Sequence, residues 1–294
     1  MNQKSWTIKT LLEITTDYLK KKAIDSPRFT AEILLAHQLD IDRVKLYLDF
    51  DRPLNDREVS GYRSLITRRL SREPIQYITG VQEFWSMEFA VDPKVLIPRP
   101  ESELLVEQVV CLHKEKQSPD GLSTRILDLG TGSGVLAIAF ARELEDAYIW
   151  ASDISQEAID RAILNSRRHG VEDRIHFFWG DLFQPIMDRD LTFDVIISNP
   201  PYIASEDFDS LPPEIRDHEP RVALDGREEG MFFIEKIIRE GSDYLNPGGW
   251  LLLEMDPGQI TKALKLIEKS NGYGEKKCVK DYSHRYRVVM VQKR

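Results

Sequence analysis

The sequence predicts an α/β protein with a small all-helical domain at its N-terminal end. Three observations carry that expectation. Residues 1–72 show apolar spacing of helical period alone. From Arg125 onward, short apolar runs alternate with helical patterns, which implies a mainly parallel sheet covered on both faces. The conspicuous glycine, aspartate and proline motifs fall where those runs end, and open sheets of this kind bind ligands beyond the carboxyl ends of their strands. A chain of 294 residues is long enough for two cores.

In the first segment, Ile8, Leu11, Leu12, Tyr18 and Leu19 share helical spacing. Ser26-Pro27 reads as an N-cap followed by proline at the first helical position, with Phe29, Ile33, Leu34 and His37 on one face behind it. Asn55 and Glu58 fit a capping box, and Val59, Tyr62, Leu65, Ile66 and Leu70 follow at helical spacing. His37 is read as a packed or surface histidine, and the segment as a bundle that docks or covers something. Residues 73–100 are expected to link the halves: Glu73-Pro74 breaks the helical pattern, and 75–80 and 83–91 read as short strands around a glycine turn. A helix through Leu104, Leu105, Val109 and Leu112 opens the last segment, 101–294. A polar loop over 114–124 follows it. Strands are expected at 125–129, 147–152, 174–179, 193–198, 249–254, 276–281 and 286–292. Only four residues, 282–285, separate the last two, too few for a crossover, so they form a hairpin.

The strand 125–129 runs into Gly130-Thr131-Gly132-Ser133-Gly134, and an apolar helix follows. Glycines let the backbone approach a ligand, and a helix N-terminus offers free N–H groups. Val135 stands where a dinucleotide fingerprint needs its third glycine, so the turn suits a smaller nucleoside ligand without pyrophosphate. Such turns also serve plain strand-to-helix packing. Asp153, at the end of the next strand and about twenty residues on, is placed for ribose hydroxyls. Asp181, in Gly180-Asp181-Leu182-Phe183, can accept an adenine amine while Leu182 and Phe183 pack on the ring; a turn aspartate is the plainer alternative.

Asn199-Pro200-Pro201-Tyr202 ends the strand 193–198, because neither proline can donate to a sheet ladder. This rim suits the holding of a planar NH2 group: the Asn199 side-chain oxygen and the Pro200 carbonyl accept its hydrogens, Pro201 stiffens the geometry, and Tyr202 covers the flat face. Residues 203–228 form a long acidic loop, read as gripping a substrate. His218 within it is not needed as a base.

Composition narrows the classes. The chain is 41% hydrophobic and 30% charged, as globular proteins are, and its net charge of −9 argues against nonspecific affinity for nucleic acid. Lys20-Lys21-Lys22, Arg68-Arg69 and Arg167-Arg168 are read as solvated helix faces. No membrane-spanning run and no secretory leader are found; residues 1–22 read as an amphipathic helix. Cys111 and Cys278 fit no metal spacing and suit reduced thiols in the cytoplasm. No metal is expected, and a monomer is the default.

Asp128 to Gly134, Asp153, Gly180-Asp181 and Asn199 to Tyr202 together resemble the class I S-adenosylmethionine-dependent methyltransferases, whose sheet is Rossmann-like. Glu73-Pro74-Ile75-Gln76-Tyr77-Ile78-Thr79-Gly80, Leu96-Ile97-Pro98-Arg99-Pro100-Glu101 and Glu219-Pro220-Arg221-Val222-Ala223-Leu224-Asp225-Gly226 narrow the resemblance to the HemK/PrmC family. It covers essentially the whole chain. It implies methyl transfer from S-adenosyl-L-methionine to the glutamine N5 of the Gly-Gly-Gln motif in class I peptide-chain release factors. It further implies that the helical bundle docks the factor. Gly130, Thr131, Gly132, Ser133, Gly134, Asp153, Asp181, Leu182 and Asn199 would hold the cofactor; Asn199, Pro200, Pro201 and Tyr202 would hold the substrate amide, with Asn199, Pro200 and Tyr202 in the catalytic role. The chain departs from the family pattern at Arg227, at Met255-Asp256-Pro257 and at Tyr282-Ser283-His284. An adenine-N6 methyltransferase acting on nucleic acid is the alternative; it would need a basic groove and a recognition domain. A non-catalytic scaffold with a degenerate site is a more distant one.

Overall fold

The computed structural model describes residues 6–115 and 123–294. Most of the polar loop expected over 114–124 lies outside them. Two compact units emerge, Met1–Gly80 with Pro213–His218, and Val81–Pro212 with Glu219–Arg294. Residues 73–100, expected as a linker, therefore divide between the two.

The first unit is helical: α1 (Ile8–Lys21), α2 (Pro27–Leu39), α3 (Arg43–Leu48), α4 (Asp56–Leu70) and α5 (Ile75–Thr79). Their apolar faces meet in one core containing Ile8, Leu12, Leu34, Leu35, Tyr62, Ile66 and Ile78. The Asn55–Glu58 capping box forms as expected, each side chain accepting from the other residue's backbone N–H, at 3.0 and 2.8 Å. Ser26 precedes α2, but it is left-handed and its hydroxyl makes no capping bond. The buried stripe of α2 is Thr30, Ala31, Leu34 and Leu35, while Phe29 and His37 are exposed. Both stripes satisfy i, i+4 spacing; the buried one faces Tyr62, whose hydroxyl donates to the Ala31 carbonyl at 3.0 Å. The strand expected at 75–80 is α5. The Pro74 carbonyl accepts from Tyr77 and Ile78, so the chain turns helical directly after its proline, and Gly80 ends the turn left-handed.

The sheet unit opens with a hairpin, β1 (Val81–Phe84) and β2 (Met87–Ala90). Its turn is Trp85-Ser86, both at positive φ, as a two-residue hairpin of matching twist requires. There follow α6 (Glu103–Glu115), β3 (Arg125–Leu129), α7 (Val135–Glu143), β4 (Tyr148–Asp153), α8 (Gln156–Arg168), β5 (Ile175–Trp179) and β6 (Phe193–Ser198). The short α9 (Pro213–Arg216) belongs with the helical unit, where Glu214 accepts from Arg69 at 2.9 Å and Arg72 at 3.3 Å. The chain closes with α10 (Phe232–Tyr244), β7 (Leu245–Glu254), α11 (Ile260–Lys269), β8 (Tyr273–Lys280) and β9 (Tyr286–Lys293).

Seven strands form one sheet in the order β5-β4-β3-β6-β7-β9-β8, parallel except for β9. All seven expected strands are present, and the expected hairpin is β8–β9. Alternate residues serve opposite faces. Ile126, Ile149, Val195, Ile197 and Leu252 pack with α6 and α7, whereas Leu127, Leu129, Ile196, Leu251 and Leu253 pack with α10 and α11. Among the described residues, no helix is long and apolar enough to cross a membrane.

One buried side chain ties the hairpin to the sheet. Asn165, fully buried on α8, accepts from Ala90 N at 2.8 Å and donates to Ala90 O at 3.1 Å and Ser133 O at 2.8 Å. Leucine has similar bulk and no polar atom, so Asn165→Leu leaves three buried backbone groups unpartnered. Each such group costs about 1–3 kcal/mol, so a loss of about 3 kcal/mol or more is expected from urea denaturation. Unchanged stability would show that water replaces these bonds.

Candidate functional site

The glycine turn after β3 is folded back by backbone bonds. Gly130 and Thr131 N–H groups donate to the Ser152 carbonyl at 2.8 and 2.9 Å. Beneath them, the Thr131 hydroxyl donates to Asp128 at 2.7 Å. Asp128 is fully buried, and its Oδ1 has no partner among the described residues. Burial pushes its carboxyl up to about 7; the Thr131 bond opposes this, and the nearby Asp153 charge adds to it. Gly132 has φ near +56, and the space where a side chain would stand is open. Its N–H donates to Asp153 Oδ2 at 2.8 Å, while Asp153 Oδ1 accepts from Ser155 N at 2.9 Å. Each Asp153 oxygen keeps a lone pair for a further donor. Burial raises the Asp153 pKa, against the pull of those backbone bonds. Gly134 does different work: a Cβ there would lie 3.0 Å from that of Ala162, so this glycine lets α7 pack on α8.

At the end of β6, next to β3, the Ser198 hydroxyl donates to the Leu129 carbonyl at 2.7 Å. Asn199 follows. Its amide nitrogen donates to Ser102 Oγ at 2.9 Å, and the Ser102 hydroxyl donates to Glu254 Oε2 at 2.6 Å. Ser102 and Glu254 are both buried. The sequence patterns did not single out either one for the site: Ser102 sits in a short turn before α6, and Glu254 reads as the end of an apolar strand. Tyr202 is held by its backbone, whose carbonyl accepts from Gln259 at 2.8 Å. Its hydroxyl is pushed up to about 12 by burial and by the Glu254 charge, so it stays neutral.

Gly130, Thr131, Gly132, Ser133, Asp153, Asp181, Leu182, Asn199 and Pro201 line one cavity of about 420 Å³, the size of a small-molecule site. Gly134, Pro200 and Tyr202 are not among its lining residues. Pro200 is buried, and Tyr202 packs against the sheet core. Asp181 is paired with Lys236 at 2.6 Å. Phe183, expected to pack on a ligand ring, is 1% exposed and stacks on Tyr244 instead, with centroids 4.6 Å apart. An aromatic residue one place beyond a cavity-lining Leu182 falls on the opposite, core-facing side.

The segment 203–228 is built of short helical turns rather than lacking structure. Ile203 N–H donates to Leu224 O and Gly226 N–H to Ile203 O, closing its base, and Phe208 and Leu224 are buried. Val222, Ala223 and Arg227 from its far end line the cavity. Arg227 has φ +63, and its guanidinium lies 4.0 Å from the Phe232 ring centroid. His218 bonds the Ser71 carbonyl within the helical unit and is not among the cavity lining. Glu219 is buried and holds the strip before α6, accepting from Ile97 N–H at 3.2 Å and from the Arg99 side chain.

Comparison with known proteins agrees with this geometry. Residues 10–80 match the PrmC N-terminal domain family, and residues 101–211 match the methyltransferase small domain family. A release factor glutamine methyltransferase of Geobacter sulfurreducens is 42% identical over 90% of this chain and 89% of its own length. Another, of Rhodopirellula baltica, is 39% identical over 99% of this chain and 98% of its own. Among solved structures, the N-terminal domain of human METTL16 in complex with SAH aligns with a TM-score of 0.54 and 15% identity, over 95% of this chain and 94% of that one. That likeness speaks for the fold alone, a class I methyltransferase fold preceded by helices. Identity of this extent, spanning the helical unit and the sheet unit together, places the chain in the release factor glutamine methyltransferase family.

Proposed function

We infer that this chain transfers a methyl group from S-adenosyl-L-methionine to the side-chain nitrogen of the glutamine in the Gly-Gly-Gln motif of class I peptide-chain release factors. The observation that carries the reading is the polarity of Asn199. One N–H of its NH2 donates to Ser102, and its oxygen, which can only accept, belongs to a residue that lines the cavity. An amide oxygen beside the glycine turn suits a substrate that presents N–H groups. The relatives named above, and the PrmC-type N-terminal match, favour an amide over the adenine-N6 alternative.

The residues present fit the cofactor. The turn at Gly132 leaves open space, Asp153 keeps lone pairs for ribose hydroxyls, and Asp181 and Leu182 line the same cavity. When bound, S-adenosylmethionine supplies an electrophilic methyl group on a sulfonium. The chain's own task is to make a poor nucleophile competent. An amide nitrogen shares its lone pair with its carbonyl. Acceptors at Asn199 Oδ1 and at the Pro200 carbonyl polarise the two N–H bonds and fix which way the nitrogen faces. The Tyr202 ring, neutral, is assigned to the face of the amide plane; its backbone carbonyl is held by Gln259. Positioning of this kind supplies roughly 7–11 kcal/mol of barrier reduction in favourable cases. One N–H proton leaves to water after transfer, so no base such as His218 is needed. The helical unit is assigned to docking the body of the factor.

Mass spectrometry of tryptic peptides from a release factor, incubated with the protein and cofactor, should show one added methyl on the Gly-Gly-Gln peptide. DNA and RNA offered in parallel with a radiolabelled methyl donor should stay unlabelled; label in nucleic acid alone would overturn the reading. Asn199→Ala is expected to lower kcat by about a hundredfold or more while cofactor affinity is largely retained, as loss of an acceptor at the reacting group implies. Asp153→Ala should weaken cofactor binding by about 1.5–3 kcal/mol, the worth of a charged hydrogen bond, read by calorimetry. An unchanged dissociation constant would remove Asp153 from the ribose role.

A further inference from the structure

We propose that Ser102 and Glu254 are positioning residues for the methyl transfer: the ionised Glu254 carboxylate orients the Ser102 hydroxyl, and that hydroxyl fixes Asn199 with its amide oxygen toward the substrate. The proposal rests on the function assigned above and deepens it. A carboxamide has no intrinsic preference for presenting oxygen or nitrogen, because its two ends are nearly equal in size. At this rim the choice decides activity. The oxygen accepts a substrate N–H, whereas the nitrogen would confront another donor. Something must impose the choice, and the hydrogen-bond chain does so.

Glu254 ends β7, whose neighbour β6 ends at the rim. An ionised carboxylate only accepts. The Ser102 hydrogen must therefore point at Glu254 Oε2, 2.6 Å away. Ser102 Oγ is then left to accept, and Asn199 meets it with Nδ2 at 2.9 Å. The polarity is thus passed across one buried link, Ser102 to Glu254, and one half-buried link, Asn199 to Ser102, at the cavity wall. A protonated carboxyl donates as readily as it accepts, so below its pKa the chain is no longer held in one direction. The hydroxyl can then turn to Asn199 and draw the amide oxygen away from the substrate.

Burial pushes the Glu254 carboxyl up to about 7, with the Ser102 bond opposing and the Glu101 charge adding. The charged and titratable groups facing it come from three sides. Arg99 and Glu101 lie in the strip before α6, Tyr202 lies on the rim, and Arg287 lies on β9. Arg287 is itself engaged by Asp281 at 3.2 Å and Asp256 at 4.0 Å, which limits its pull on Glu254. The relay's polarity therefore becomes sensitive to pH near neutrality. The sign follows: activity is lost as pH falls through the Glu254 pKa and is full above it.

The test uses the full-length protein with wild-type, Ser102→Ala, Ser102→Thr and Glu254→Gln variants. Ser102→Ala should lower kcat by about ten- to a hundredfold, with KM and cofactor affinity nearly unchanged, because the loss is one of aim rather than of binding. Ser102→Thr, which keeps the hydroxyl, should recover most of that loss. Wild-type kcat should rise between about pH 6 and 8, and Glu254→Gln, with no proton to lose, should flatten that rise. Carbon-13 NMR of the Glu254 carboxyl, followed with the Asn199 side-chain NH2 resonances, needs no substrate; both should titrate with one midpoint. Wild-type turnover in Ser102→Ala, a Glu254→Gln profile that keeps the wild-type rise, or Asn199 resonances that ignore the Glu254 titration would each overturn the proposal. Failure of the wild-type protein to methylate a release factor would instead count against the assigned substrate, and the NMR titration would still decide the relay.

Discussion

The site depends on one constraint, the parallel pairing of β3 with β6. Leu129 lies opposite Ser198, so the two strands leave the sheet at the same level, with Gly130 and Asn199 as their next residues. Neighbouring strands run about 4.8 Å apart, which sets the glycine turn beside the rim before any side chain acts. The chain order makes the gap between them a ligand site. From β3 the chain steps to β4 on one side, while β6 lies on the other, and connections diverging from a shared pair open a crevice at the carboxyl ends. Ser198, through its bond to the Leu129 carbonyl, pins the ends of both strands.

On that frame the two halves of the site are stiffened by different means. The turn is fixed by backbone bonds to Ser152 and by the Asp128 and Asp153 carboxylates, so its N–H groups keep their directions without a ligand. The rim is fixed by two prolines and by the Ser102–Glu254 chain. Asn165 joins the system from behind, since one amide holds both the hairpin and the Ser133 carbonyl. A site held this way has little to reorganise when charge shifts during reaction, and preorganisation of this kind is where enzymes obtain most electrostatic stabilisation.

What the sequence revealed follows from the range of each interaction. Buried strands of a parallel sheet are continuous apolar runs, so all seven were visible, and so was the side of the sheet that carries the ligand motifs. Asp153 and Asn199 were legible because each directly follows such a run. Ser102 and Glu254 were not. They reach Asn199 across chain separations that no local pattern spans, and a glutamate closing an apolar strand looks like the edge of that strand. The local errors have local causes. Residues 75–80 carry strand-like side chains, yet Pro74 supplies a carbonyl that starts a helical turn, and Tyr77 and Ile78 are buried there. Phe183 looked like a ligand contact because of its neighbours in sequence, but the chain reverses face at Leu182, whose φ is +47, and the ring turns into the core against Tyr244.

Two buried carboxyls, Asp128 and Glu254, make sense only together with this positioning role. Each ends or nearly ends a strand, and for each desolvation outweighs its hydrogen bond, so the folded pKa rises to about 7 from 3.8 and 4.5. The consequence for folding has a fixed sign. Below the unfolded values both groups are protonated in either state and burial costs little. As pH rises from about 4 toward 7 the unfolded chain gives up these protons first, so stability falls over that interval. A leucine at either place would carry no such burden. A leucine would also leave Thr131 or Ser102 without the acceptor that sets its hydroxyl, and with it the direction of the glycine turn or of Asn199. The fold thus keeps a buried carboxyl in each wall of the crevice at the expense of its own stability near neutral pH, each as the acceptor that sets a hydroxyl beside the site.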